Sequence, residues 1–594
     1  MSSPIDNIVR PVGTHAKFNT ARHSLGILRA VIVTCRYKVP TAHLRRQPSS
    51  SSPSSSLHDA IERALAAVIL GQAMLRVGIA GEDTREPAFV RLRTIDMRRM
   101  IEWKELAAST PNTQAGGGGD GQGGTATTMT TTPAAYEDRL LRSLERHHEM
   151  LWEDLAGKPG WKIVVHHDPG QLGALRSGEH NDDEDEDDDA SLLSLDISFC
   201  FHHAYADGKS AYIFHADLRR ALNRRHSGPP PDDVLQDHIL HLPATPPPPP
   251  ALPPALDALV PLSASWGFVA RTVWAEVLYP LLVPRALGRL LGLEPAAAAD
   301  VPWTGAPVDG SNPRTHIRAV AALCGDDDDG GSGGGGGEAR LARVLARCRR
   351  HGASLTGLLH ALVARSLGRL AAGGRPLRST TPISLAGYAR RRGGDANGAA
   401  FTPGKTIHCL ITNLACGHDR DAVEALLQQR PRRHNDEDDN EEEEEEEDAA
   451  LWAFARDMTA RLRAKAASLP RDDITALSGL VGDWHAFFRA RFGAPRDCSW
   501  ELSNLGSLAV EIPGEGEGEE EEEEEEEGGR WFIDRAVFTQ GANATGAAIC
   551  VNVAGVAGRG VYVTVTWQDG IVDVALAEAL AGDLRAWVAD LGEP

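Results

Sequence analysis

Between Leu195 and Leu222 the chain places a strand, a tight acidic turn and a helix in direct succession, and this constrains the fold more than any other stretch. Leu195, Ile197, Phe199 and Phe201 alternate with Asp196, Ser198 and Cys200, the period of a half-buried strand. Past Gly208, apolar residues recur at Ala211, Phe214, Leu218 and Leu222, which is helical spacing, with Lys209, Arg219 and Arg220 left for the wet face. The intervening residues His202-His203-Ala204-Tyr205-Ala206-Asp207-Gly208 therefore form a loop braced on both sides.

Two histidines at a strand end suggest proton chemistry, because imidazole titrates close to working pH and can relieve an attacking hydroxyl or amine of its proton. Adjacent strand residues point to opposite faces, so His202 and His203 cannot both address one substrate. His203 is the candidate base and His202 the structural partner. Asp207 either orients the imidazole or braces the loop through an arginine elsewhere, and bracing is the favoured reading. Gly208 is expected to permit a backbone conformation that a side chain would hinder.

The pattern HHxxxDG at 202–208 resembles the signature of CoA-dependent acyltransferases of the chloramphenicol acetyltransferase fold, and most closely that of fungal alcohol acetyltransferases. Ile8-Val9-Arg10-Pro11-Val12-Gly13 with Ala21-Arg22-His23-Ser24-Leu25-Gly26 is similar to the opening of that family, and Ser354 to Leu362 to a helix in mid-chain. Trp500-Glu501-Leu502-Ser503-Asn504-Leu505-Gly506 and the closing 561–570 segment are similar as well. The resemblance implies two α/β halves with mixed sheets and a tunnel between them, interrupted here by disordered low-complexity insertions. It implies acetyl-CoA as co-substrate, with no permanently bound cofactor, and direct transfer without an acyl-enzyme. It places Ser503 and Asn504 near the donor channel, where either could face the thioester oxygen; a turn role for the same residues fits their sequence equally. Thr381-Pro382-Ile383-Ser384-Leu385 resembles a strand end at the CoA channel, but Ala386 stands where relatives often carry arginine. The late Asp-Phe-Gly-Trp-Gly motif of plant relatives is absent.

The formal charge of −22 is misleading. Runs at 182–189, 326–329, 436–448 and 515–527 hold 35 acidic residues and no Lys or Arg, so the remainder of the chain carries a net charge of +13. Such runs cannot form a core and are expected to be solvated loops. A basic remainder suits a ligand with several phosphates. Segments 49–56, 116–132 and 330–337 also lack apolar periodicity and read as inserted loops. Pro246 to Pro250 mark the best boundary, giving a first half at 1–240 carrying the motif, a Pro-rich linker at 241–256 and a second half at 257–594.

Eight cysteines without paired spacing indicate a reducing compartment, and Cys200 reads as a buried strand residue rather than a nucleophile. The pairs His147-His148 and His166-His167 do not complete a zinc pattern, so no metal is expected. No nucleic-acid motif is present. Charged residues and prolines interrupt the apolar stretch 258–293, which reads as buried helices joining the halves, with peripheral membrane contact or an acceptor-channel wall as alternatives, rather than a membrane span. A monomer in the cytoplasm is expected, with peripheral contact to an intracellular membrane as the alternative.

These readings converge on acetyl transfer from acetyl-CoA to a small apolar alcohol. The alternatives are N-acetylation of an apolar amine, condensation of carrier-bound substrates, and a non-catalytic binding protein of the same fold.

Overall fold

The structure, a computed structural model, describes residues 7–40, 53–106, 132–171, 192–224, 234–242, 251–274, 301–324, 336–390, 401–428, 449–509 and 530–592. The four acidic runs, residues 246–250 and most of the other low-complexity segments lie outside the described residues. The larger strands, in chain order, are β1 (Val31–Pro40), β2 (Ile101–Glu105), β3 (Trp161–His167), β4 (Leu192–Phe201), β5 (Thr315–Cys324), β6 (Leu377–Ser384), β7 (Ile411–His418), β8 (Trp500–Leu508), β9 (Phe532–Gln540), β10 (Ile549–Val556) and β11 (Gly560–Gln568). They form a five-stranded sheet in the order β9-β1-β4-β3-β2 and a six-stranded sheet in the order β5-β11-β10-β8-β6-β7. Both are mixed: β2 runs parallel to β3, and β8 runs parallel to both β6 and β10, while the other pairs are antiparallel. The α/β architecture with mixed sheets is therefore as expected.

The sheets do not divide as the chain does. β9, far into the sequence, pairs with β1 from Phe532 opposite Lys38 to Gln540 opposite Val31. It also reaches the second sheet, where Thr564 Oγ1 donates to the Phe538 carbonyl at 2.8 Å. One large core combines Ile197, Phe199, Phe201 and Phe214 with Phe538 and Leu505, and a second is built around Leu358, Trp500, Val551 and Val563.

Helices α1 (Thr14–Ser24), α2 (Pro133–His148), α3 (Gly208–Asn223) and α4 (Leu355–Leu367) bear on the site. The apolar stripe anticipated for α3 is present, with Ala211, Phe214 and Leu218 fully buried. The half-buried reading of β4 is corrected. Asp196, Ser198 and Cys200 are as buried as the apolar face, because β4 is a central strand whose second face is covered by Leu140, Leu141 and Leu144 of α2. Burying Asp196 there is made tolerable by Arg36 at 3.1 Å and Arg535 at 3.4 Å, which hold its carboxyl well below the usual range against the effect of burial.

The buried reading of the apolar stretch 258–293 holds at Leu259 and Val260 but is corrected beyond them. Trp266–Val273 is a short helix with no buried residue, and Trp266 is 87% exposed; residues 275–293 lie outside the described residues. No described helix is long and apolar enough to cross a membrane.

Candidate active site

The two motif histidines separate as strand geometry requires. His202 is fully buried; its Nδ1 accepts from the Ala204 amide at 2.9 Å, so the hydrogen lies on Nε2 and is donated to Glu82 Oε1 at 2.7 Å. His23 approaches the same oxygen from the other side at 2.8 Å, and its Nε2 accepts from the Trp152 amide at 3.1 Å. Burial alone would raise the Glu82 carboxyl, but the hydrogen bonds from His202 and His23 bring it down to about 2. The ligand atoms of His23, Glu82 and His202 lie within 4.8 Å of one another, a spacing that would admit a metal ion. The hydrogen pattern argues for protons instead. A metal-bound imidazole carries its hydrogen on the other nitrogen, and here that nitrogen already faces a backbone N–H donor. His202 thus ties the end of β4 to the loop at Glu82 and to α1.

His203 turns the other way and is half-buried. Its Nδ1 donates to the Ala206 carbonyl at 2.9 Å, which leaves Nε2 with a lone pair, the tautomer of a general base. Burial, reinforced by the positive Arg22, pushes the imidazole down to about 3, so the ring is neutral at physiological pH. Arg22 itself is buried on α1, donating to Asn19 Oδ1 at 3.3 Å and Asn543 Oδ1 at 3.0 Å, while its Nε is unpartnered among the described residues. Burial lowers Arg22 to about 10, with Glu501 opposing, so it retains its charge.

Among the described residues, Asp207 neither orients the imidazole nor pairs with an arginine. One oxygen accepts from the Ser210 amide at 2.8 Å and caps α3; the other accepts from the Leu410 amide at 2.9 Å. The brace anticipated from the sequence exists, but it runs through backbone amides. Ser210 Oγ adds to it by accepting from the His408 amide at 3.0 Å and donating to the His408 carbonyl. Gly208 is likewise explained differently than expected. It has no left-handed backbone; instead a Cβ would lie 2.2 Å from Leu505 Cδ2, so the glycine lets β8 close onto the start of α3.

That contact orients the two tentative residues of β8. Side chains at 501, 503 and 505 share one face, and Leu505 of this set meets Gly208 while Glu501 acts on Arg22. Ser503 therefore faces the motif side. Asn504 faces away, donating to Thr356 Oγ1 of α4 at 3.1 Å and accepting from the Gly506 amide at 2.7 Å, the turn role.

Cys200 is sealed in the core, where burial pushes its thiol well up. The cysteine that reaches the base is Cys409, whose Sγ lies 3.6 Å from His203 Nδ1 and 3.7 Å from Asn19 Nδ2; burial raises its thiol strongly as well. Beside it opens a narrow cleft lined by Arg10, His15, Phe89, Ala204, His408 and Cys409 among others. Sequence reading missed Arg22, His15 and Cys409. Arg22 stands within the Ala21 to Gly26 segment that carried the family likeness, which is the one signal that could have singled it out.

No protein-family model matches the chain. It is 26% identical over 588 residues, 99% of this chain and 96% of the relative, to a Fusarium pseudograminearum protein named "Probable alcohol acetyltransferase FCK4". An Aspergillus fumigatus protein named "Probable alcohol acetyltransferase crmB" is 22% identical over 546 residues, 90% of each chain. The fold is similar to that of the TRI3 trichothecene 15-O-acetyltransferase from Fusarium sporotrichioides, with a TM-score of 0.55 and 12% identity over 97% of this chain and 94% of that one. The chain is thus a homologue of fungal proteins named probable alcohol acetyltransferases and has a chloramphenicol-acetyltransferase-like fold, as its sequence led us to expect.

Proposed function

We infer that this homologue of fungal proteins named probable alcohol acetyltransferases is an acyl-CoA-dependent acyltransferase that moves an acetyl group from acetyl-CoA to the hydroxyl of a small apolar alcohol, with His203 as general base. The observation that carries this reading is the His203 tautomer, fixed by its bond to the Ala206 carbonyl, with Nε2 left free to accept a proton. The alcohol oxygen attacks the thioester carbonyl while its proton passes to Nε2. The tetrahedral intermediate then collapses, the C–S bond breaks, and the leaving thiolate takes that proton from Nε2 to give the ester and free CoA. A ring held near pKa 3 is a weak base in the resting site. Negative charge developing on the thioester oxygen raises it during the reaction, and the Arg22 charge stabilises the same oxygen. We assign Ser503, on the motif face of β8, as the hydroxyl that donates to it; Asn504 holds the strand end.

In this reading acetyl-CoA is a co-substrate and no resident cofactor or metal takes part. The chain works as a monomer in the cytoplasm, its halves at 1–240 and 257–594 joined through 241–256 and interlocked by β9. Purified protein should transfer label from acetyl-CoA to members of an alcohol panel. His203→Ala should lower turnover by roughly 10²- to 10⁴-fold while CoA binding persists. Near-normal turnover in that variant refutes the assignment of the base.

A further inference from the structure

The cleft beside His203 is mostly apolar, and nearly all its polar groups are spoken for. His408 accepts from the Cys409 amide at 2.8 Å through Nδ1 and donates to the Pro254 carbonyl at 2.7 Å through Nε2, so it offers only its ring. Arg10 gives its two terminal nitrogens to the Pro11 carbonyl at 3.0 Å and the Pro253 carbonyl at 2.8 Å, with its guanidinium 4.9 Å over the Phe89 ring. With both terminal nitrogens of its one lining cation given to backbone carbonyls, the cleft has no free guanidinium fork to clasp a pyrophosphate, so it suits the acceptor better than coenzyme A.

Two buried atoms on its walls remain without a hydrogen-bond partner among the described residues, His15 Nε2 and Arg10 Nε. Buried polar atoms are almost always paired, and leaving one unmet is costly. His15 stands in the first turn of α1, the helix that also carries Asn19 and Arg22 to the His203 side of the cleft.

We propose that the acceptor carries a second oxygen besides the hydroxyl that is acylated, a carbonyl or further hydroxyl, and that His15 and Arg10 recognise it in this cleft. The proposal rests on the acyltransferase reading. His15 is then a specificity residue: an alcohol lacking the second oxygen leaves both nitrogens unmet, which a site built for hydrogen bonding rejects strongly.

The test compares n-decanol with keto analogues whose carbonyl is moved stepwise along the same carbon chain. Acetyl transfer is measured as kcat/KM, and binding to the His203→Ala protein is measured separately by calorimetry. At least one keto alcohol should be favoured over n-decanol by about 5- to 30-fold in both measurements. His15→Leu should bring that ratio close to one, and His15→Gln, which keeps a polar group at the same reach, should restore much of it. Transfer to every alcohol at equal kcat/KM, or a ratio that His15→Leu leaves intact, overturns the proposal while the acyltransferase reading stands. A His15-dependent binding preference without any acetyl transfer upholds the site and overturns the acyltransferase reading. Neither preference nor transfer overturns both.

Discussion

Asp207→Asn tests the backbone brace most directly. The carboxylate serves two donors at once, the Ser210 amide at 2.8 Å and the Leu410 amide at 2.9 Å, and an asparagine has one oxygen to offer them. Its NH₂ group must face the other amide, donor against donor. Losing a cap costs about 1 kcal/mol, and an unmet buried amide about 1–3 kcal/mol. Part of this is returned, because burial already raises the Asp207 pKa and a neutral side chain escapes that desolvation. The net expectation is a loss of about 1–3 kcal/mol. Urea denaturation reads the loss, and hydrogen exchange locates it, with protection falling at Leu410 or Ser210. Leu410 adjoins Cys409, which touches His203, so turnover should fall by about tenfold or more even under conditions where the variant is fully folded. A wild-type unfolding midpoint with unchanged protection at both amides would refute the brace.

Further outcomes follow from other contacts. Gly208→Ala drives a methyl into Leu505 and should destabilise by about 1–3 kcal/mol, with Leu505→Ala in the same chain recovering part of the loss; additive effects in the double-mutant cycle would dismiss the close approach. Burial holds His23, His166 and His215 at about 4 and His148, His203 and His360 at about 3. Between the ordinary histidine value near 6.5 and these lower values, the unfolded chain takes up protons that the folded chain refuses. Stability is therefore complete above about pH 7 and is lost as pH falls toward 4, by at most about 1.4 kcal/mol per pH unit for each ring. The raised carboxyls of Asp207 and Glu501 oppose this, so thermal midpoints measured from pH 7 to 5 should fall but remain flat if the rings are in fact solvated. Intact-mass measurement after exposure to acetyl-CoA without acceptor should show no stoichiometric acetyl adduct, and an alcohol-dischargeable adduct on Cys409 or Cys200 would replace direct transfer with a thiol mechanism.

The strand, turn and helix around His203 were legible because each depends on local periodicity. Alternation gave β4, helical spacing gave α3, and opposed side-chain directions separated His202 from His203. What local pattern cannot reveal is which distant segment covers a face. The polar side of β4 reads as wet, yet α2, Arg36 and Arg535 enclose Asp196. Gly208 reads as a backbone requirement, although its cause is Leu505, almost three hundred residues away. His15, Arg22 and Cys409 escaped notice for the same reason, since each becomes part of the site only when α1 and the 408–410 segment close upon the motif loop.

The pairing of β9 with β1 has a consequence for how the protein is made. Until the ribosome has delivered residue 540, the β1 edge of the first sheet has no neighbour, and although Arg36, Lys38 and Pro40 blunt its far end, it begins with the apolar run Val31, Ile32 and Val33, a template for pairing. The early part of the chain must wait for the late part with this edge open, during hundreds of residues of synthesis. Expression of residues 1–240 alone should accordingly favour strand-to-strand aggregation, and supplying the 532–540 segment in trans should suppress it.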